Sequence, residues 1–461
     1  MLFNSYVFLF AFLPVTLAGW WLVRRSEVRF AWLTIASYVF YGWWNWRFLP
    51  LMIASTTVDY IAGAKIAATE NLRTRRGWLV ASLSFNLALL AFFKYYGLFA
   101  STINQASSDF GFRAAVPVLN IILPIGISFY TFNSMSYTID IYRGLVRPAK
   151  SLLHYSAFVA LFPHLIAGPI VRYSDIETQF HALKTKLGSQ EASLGIYFFV
   201  IGLSKKVLIA DRLARPVNEF FALAHPTGLV NSWLAVLGYS LQLYFDFSGY
   251  SDMAVGLAHF LGLQFPQNFN SPYQAENIAD FWRRWHISLS TWLRDYLFIP
   301  LGGSRLSNAR TALNLTVTMF LGGLWHGANW TFVVWGLYHG VLLVIHAVAR
   351  ERGWTLKSSI CNRSLTFVVI TLGWVLFRAE SFGGATRILA AMFGRTGLGS
   401  VPDSPLYVGW VAGAAAIAFF APNTWQIEFK PRLIYAYSLA ALFLGSVLML
   451  SGASPFLYFQ F

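Results

Sequence analysis

From Leu315 to Ala349 the chain carries no Lys, Arg, Asp or Glu, yet it holds a histidine, His326, beside a cluster of glycines. A straight helix of that length, at about 1.5 Å per residue, would overrun a hydrocarbon layer about 30 Å thick. The run therefore reads as two spans that turn near Gly322, Gly323 and Gly327, with His326 at or inside the turn. An ionisable group in apolar surroundings is costly to keep and is a functional candidate on that ground. Imidazole also takes and returns a proton near neutral pH. Proton-transfer chemistry inside a membrane is the first expectation.

The rest of the chain agrees with a membrane setting. Hydrophobic residues make up 57% of its 461 positions and charged residues 11%, against about a quarter charged in soluble domains. Its 18 Trp and 22 Tyr suit interfacial belts, where a ring and its polar edge meet different media. The net charge of +15 sits in short clusters between apolar runs rather than on one soluble face. That pattern fits anionic lipid headgroups and the positive-inside bias better than a nucleic acid. A single cysteine, Cys361, excludes an internal disulfide and a cysteine-rich metal site.

Apolar segments fall near 2–23, 30–44, 48–67, 78–99 and 117–142, separated by alternately basic and nearly neutral loops. Arg24, Arg25 and Arg29 lie in the first loop, Arg73, Arg75 and Arg76 in the third, and Arg143, Arg147 and Lys150 in the fifth. Those three loops are expected in the cytoplasm, and the N-terminus outside, with the first helix retained rather than cleaved. Residues 152–171 are apolar but broken by Pro163, Gly168 and Pro169, as in a re-entrant or in-plane segment. Further spans are expected near 193–210, 230–246, 312–324, 330–349, 364–379, 406–421 and 433–450. The expected fold is all-α and polytopic, with about eleven or twelve spans plus re-entrant and interfacial helices around a central channel. It reads as one integrated domain, with N-terminal helices to 150, a central region over 151–350 and C-terminal helices beyond.

The block from Tyr244 to Arg310 concentrates chemistry. Asn277 can cap a helix with Asp280 near its positive end, and Trp282, Trp285, Leu289, Trp292 and Tyr296 follow at helical spacing. With Arg283, Arg284 and Arg294 on the same segment, this reads as an aromatic amphipathic helix at the cytoplasmic interface, carrying His286. Its basic residues could attract phosphates of a nucleotide-containing donor or anchor to lipid.

Each candidate has a plain alternative. His326 could be a helix-packing histidine, but Gly327 and Ala328 leave room beside its ring, and Trp325 and Trp330 can shape a pocket. His286 could serve at the surface or in packing. Asp246 and Asp252, in FDFSGYSD, flank a span end and could orient an imidazole or pair with a cation. Asp59 and Asp140 read as structural, and His339 and His346 as packing residues. The chain has no Walker-type phosphate loop, no H-E-x-x-H helix and no G-x-S-x-G elbow, against an ATP-driven pump, a zincin and a standard serine hydrolase. Neither a metal nor a bound cofactor is expected.

The motifs LPIGISFYTFNSMSYTIDIYRG (Leu123–Gly144), FPHLIAGPIVR (Phe162–Arg172), LYFDFSGYSDMAVG (Leu243–Gly256), FWRRWHISLSTWLRDYLFIPLGG (Phe281–Gly303) and LGGLWHGANWTFVVWG (Leu321–Gly336) give the chain a recognisable pattern. It resembles the membrane-bound O-acyltransferase family, in the bacterial branch that contains alginate O-acetyltransferase membrane subunits. The resemblance implies acyl transfer to a hydroxyl, with the family's WHG histidine on His326 and its second histidine on His286. It implies acetyl-CoA as a cytoplasmic donor, an exopolysaccharide such as alginate or cellulose as acceptor outside the bacterial inner membrane, and periplasmic partner proteins. Relatives that export D-alanine share the architecture, which leaves the donor open. Trp325, Asp246, Arg283 and Arg284 are the candidate substrate-binding residues, with Asn270 the possible counterpart of an asparagine that many members pair with the histidine. Two other readings stay open at this point: a transporter or flippase for a lipid-linked saccharide with His326 as proton relay, and a scaffold in which His326 is dispensable.

Overall fold

A computed structural model describes residues 1–112, 116–354, 356–399, 405–430, 432–450 and 456–457. No strand occurs among the described residues, and the protein is an all-α, polytopic membrane protein. The first α-helices are α1 (Leu13–Leu22), α2 (Ser26–Asn45), α3 (Leu49–Ala67), α4 (Leu72–Leu90), α5 (Tyr96–Asp109), α6 (Ile127–Arg143), α7 (Leu152–Val159), α8 (Phe162–Leu165), α9 (Tyr173–His181) and α10 (Ser189–Ser204). They are followed by α11 (Asp211–Phe221), α12 (Leu229–Phe260), α13 (Ile278–Arg284), α14 (Ile287–Leu293), α15 (Asn308–His326), α16 (Trp330–Glu351), α17 (Ser359–Arg378), α18 (Phe382–Met392), α19 (Pro405–Phe420) and α20 (Leu433–Leu448). Leu72–Asp109, Ser189–Phe221, Trp330–Glu351 and Ser359–Arg378 are long and apolar enough to cross a membrane. Phe8–Leu22, Pro405–Phe420 and Leu433–Leu448 are shorter apolar helices.

The helices form two compact units, Met1–Phe199 with Met253–Pro266, and Val200–Asp252 with Gln267–Phe461. In the first, α3, α4 and α6 pack around a buried polar knot. Ser82 Oγ and Asn86 Nδ2 donate to the Asp59 carboxylate at 2.6 and 2.9 Å, and Ser55 Oγ donates to Asn86 Oδ1 at 2.8 Å. Asp59 is thus structural, as expected, and lies in the middle of α3. The proline- and glycine-broken stretch after residue 151 forms α7, a turn and the single-turn α8, with every residue from Tyr155 to Val171 buried. Irregular backbone is tolerated in a membrane protein where other protein surrounds it.

In the second unit α15 and α16 form a tightly packed pair whose closeness depends on glycine. A Cβ on Gly323 would stand 2.3 Å from the Phe332 carbonyl oxygen, and one on Gly336 would stand 2.4 Å from that of Met319. Gly340, one turn beyond Gly336, faces the Thr316 backbone in the same way. Small residues spaced along a helix allow this backbone approach, which drives association where lipid supplies no hydrophobic force. The expected turn is therefore corrected: Gly322 and Gly323 lie inside α15, and the chain leaves the helix only at Gly327. His326 is the last helical residue.

α12 is also longer than the apolar run suggests. It continues through FDFSGYSD to Phe260, so Asp246 and Asp252 lie within a helix and not at its end. Each is matched by a lysine from the π-helical segment Lys205–Ala210: Lys206 Nζ lies 2.6 Å from Asp246 Oδ1 and Lys205 Nζ 2.6 Å from Asp252 Oδ2. Charge pairing keeps the helix polar there without exposing it to water.

Candidate active site

The second unit builds its polar centre where a continuous helix would be the simplest expectation. In place of one amphipathic helix across 277–296, the segment forms α13 and α14, broken at His286, whose φ is +43°. A non-glycine residue in the left-handed region is strained unless its surroundings hold it there. Asn268 supplies that hold. Its backbone oxygen accepts from Ile287 N at 2.9 Å, and its side-chain Oδ1 accepts from Ser288 Oγ at 2.8 Å and from Ser288 N at 3.3 Å.

The same Oδ1 lies 3.1 Å from His286 Nδ1, while Asn268 Nδ2 donates to Ser251 Oγ at 3.0 Å. With the amide oriented by these bonds, His286 must carry its proton on Nδ1, which leaves the Nε2 lone pair bare. Nε2 has no hydrogen-bond partner among the described residues, and His286 is fully buried against Phe247, ring centroids 4.7 Å apart. The α13–α14 segment lies outside the candidate spans. Burial lowers the imidazole pKa to about 3, so the ring is neutral at physiological pH. The surface role left open for His286 is corrected by this burial.

His326 ends α15 at 3% exposure, enclosed by the rings of Trp325, Trp335 and Phe377 at 5.1, 5.1 and 5.2 Å. Trp325 also faces His286, centroid to centroid 6.0 Å. One indole thus contacts both imidazoles, which joins the two sequence candidates in one buried aromatic cluster. A neutral imidazole in such a chamber can accept a hydroxyl proton and return it to a leaving group.

The other candidates separate. Arg284 Nε donates to Asp280 Oδ2 at 3.0 Å, and Arg283, with 71% of its side chain exposed, approaches Asp280 at 3.8 Å. Asp246 is committed to Lys206 and to the Leu457 backbone N–H, at 2.9 Å, which gives it a structural role in place of substrate binding. Asn270 Oδ1 accepts from Asn423 Nδ2 at 2.9 Å, and the asparagine that reaches His286 is Asn268, two residues earlier. Nothing local in the sequence distinguishes the two, since the partner lies eighteen positions away. A second residue missed by the sequence reading is His339 on α16. It is fully buried, both ring nitrogens lack a hydrogen-bond partner among the described residues, and its ring stands 4.7 Å from that of Trp335. The flanking Gly336 and Gly340 were the available signal of a close-packed face.

Comparison with known proteins adds an independent line. The signature of the membrane-bound O-acyltransferase family matches residues 146–352, a stretch that holds both histidines and the whole chamber except Phe377. A probable alginate O-acetylase of Pseudomonas putida is 41% identical, with all of each chain covered. The peptidoglycan O-acetyltransferase of Helicobacter pylori is 39% identical over 86% of this chain and 81% of its own. The teichoic acid D-alanyltransferase of Bacillus subtilis is 32% identical over 58% of this chain and 70% of its own. These similarities set aside the transporter and scaffold readings. The chain belongs to the membrane-bound O-acyltransferase family and is a membrane O-acyltransferase.

Proposed function

We propose that this protein transfers an acetyl group from cytoplasmic acetyl-CoA to hydroxyls of an exopolysaccharide such as alginate or cellulose, with periplasmic partner proteins completing delivery. The observation that carries the reading is the buried His286–Trp325–His326 arrangement. His326 is assigned as general base. It takes the proton of the acceptor hydroxyl as oxygen bonds to the thioester carbonyl carbon; the carbon–sulfur bond then breaks and the proton passes to the departing sulfur. His286, held as a neutral ring with Nε2 bare, is assigned to the same chamber as a hydrogen-bond acceptor.

Sidedness follows from charge. The ends of the helices farthest from His326 carry Arg305 and Arg310 before and within α15, Arg350 and Arg352 at the end of α16, and Arg363 at the start of α17. The positive-inside bias assigns that end to the cytoplasm of the bacterial inner membrane, where anionic lipids also gather, and the His326 end to the opposite side. Alginate and peptidoglycan appear in the names of similar proteins, and both are glycans outside that membrane. Transfer can be read in vesicles loaded with radiolabelled acetyl-CoA and supplied with glycan and partner outside. Label on the glycan or partner is expected; its absence with intact protein would count against the donor and the direction together.

A further inference from the structure

The first unit holds a polar cavity of about 190 Å³ that the acyl-transfer reading does not use. Ser26 and Glu27 line it from the start of α2, and Lys150 from the segment before α7. His154 reaches it from α7, and Tyr173 and His181 from the two ends of α9. His286 and His326 belong to the second unit. The cavity thus joins the basic loops at 24–29 and 143–150, both of which the positive-inside bias assigns to the cytoplasm.

Its polar groups are mostly donors. An ammonium carries three N–H bonds, each hydroxyl carries one O–H, and a protonated imidazole donates from both nitrogens. α2 adds the positive end of a 20-residue helix, whose cap position, Arg25, makes no side-chain bond to the first turn. Glu27 is the one carboxylate on the lining. Its Oε1 lies 3.3 Å from His154 Nε2, with 63% of the Glu27 side chain exposed against 12% of that of His154. On its other side His154 is held by Ser151 Oγ, 3.2 Å from Nδ1, and by the Phe30 ring, 4.2 Å between centroids. A buried, oriented imidazole therefore faces the cavity beside a carboxylate that can swing into solvent.

The balance of charge points the same way. Burial lowers the His154 pKa from its ordinary value; Glu27 opposes that shift, and Lys150 and His181 add to it. Glu177 acts on Tyr173 from within α9 but does not line the cavity. Two imidazoles and an ammonium thus confront a single carboxylate. Among the described residues no three His, Cys, Asp or Glu side chains are grouped to hold a metal ion, so the cluster does not form a cation site.

We propose that this cavity binds a phosphate group, carried by an anionic lipid headgroup or by free phosphate, with Lys150, His154 and His181 as its ligands and the N-terminus of α2 beside them. A tetrahedral anion presents oxygens toward donors on three sides, which a planar carboxylate such as that of Glu27 does not. On binding it takes the place of Glu27 at His154.

Full-length protein in phosphatidylcholine nanodiscs at pH 6 tests this by thermal unfolding, since a ligand of the folded state raises the unfolding temperature. The probes are inorganic phosphate, against chloride at equal ionic strength, and discs that contain phosphatidylglycerol. Stabilisation by inorganic phosphate assigns the site to a free anion, and stabilisation by phosphatidylglycerol alone assigns it to a headgroup. Lys150→Gln combined with His181→Gln, both at exposed positions, is expected to remove at least three quarters of the shift. Arg73→Gln combined with Arg76→Gln removes two exposed basic side chains from another loop and is expected to keep the whole shift. Equal loss in both pairs would reduce the effect to surface charge and overturn the site. Full retention in the first pair, or no stabilisation of the wild type by either probe, would overturn it as well.

Discussion

At the scale of single residues, the site is governed by which nitrogen of an imidazole carries its proton. Asn268 Oδ1 fixes the His286 proton on Nδ1 and also accepts from Ser288. Asn268→Leu removes that acceptor from the buried His286 Nδ1–H, which costs about 1–3 kcal/mol of stability. Acyl transfer is expected to fall about tenfold or more, with Asn268→Asp, which keeps an acceptor oxygen, retaining more activity; thermal unfolding in detergent and initial rates check both. Burial of His286 gives a second expectation. Its folded pKa, about 3, lies below the value of about 6.5 in the unfolded chain, so the unfolded state binds the extra proton. Its stabilising influence is complete above pH 6.5 and is lost as pH falls from there toward 3. His286→Gln is expected to flatten that part of the stability–pH curve, and an unchanged slope would show that the ring titrates normally in the folded protein.

At the scale of elements, the decisive contact is the α15–α16 pair. A valine at Gly336 would push a methyl-bearing carbon into the Met319 carbonyl, an approach of 2.4 Å that backbone cannot yield to cheaply. Gly336→Val is therefore expected to lower the unfolding temperature markedly and to abolish transfer by moving His326, whereas Gly413→Ala, whose added carbon meets nothing within 4 Å, is expected to be neutral in both. The π-helical turn that carries Lys205 and Lys206 makes a similar claim. Lys206→Met leaves Asp246 and Asp211 without their shared cation, 2.6 and 2.9 Å away, and is expected to destabilise by about 3–5 kcal/mol. Restoring stability by adding Asp246→Asn to that variant would confirm that the charge, and not the side-chain volume, is responsible. The apolar runs, the broken stretch after 151 and the cap at Asn277 were readable from sequence because they rest on local period and turn chemistry. The break at His286 was not. Its helical spacing is intact on both sides, and the interruption is imposed by Asn268, which only the fold brings near.

At the scale of the whole molecule, function was legible in the motifs and geometry in only part of them. His286 and His326 were identified as a pair by resemblance, and Trp325 as a neighbour by adjacency; the structure joins all three through ring contacts. Asp246 and Asn270 looked available because a sequence does not reveal a partner such as Lys206 or Asn423. His339 looked inert for the opposite reason, because unpartnered nitrogens are visible only once the rings around them are placed. The proposed sidedness rests on the arginines at the ends of α15 and α16 remote from His326, with the donor proposed to enter at that basic end. The most direct test is the His326→Ala variant, brought to wild-type membrane level and assayed for acetyl transfer from acetyl-CoA to the glycan or partner. General-base removal is expected to lower the transfer rate about 100-fold or more while coenzyme A binding stays near the wild-type value. Wild-type transfer by that variant would contradict the role assigned to His326 and the chamber built around it.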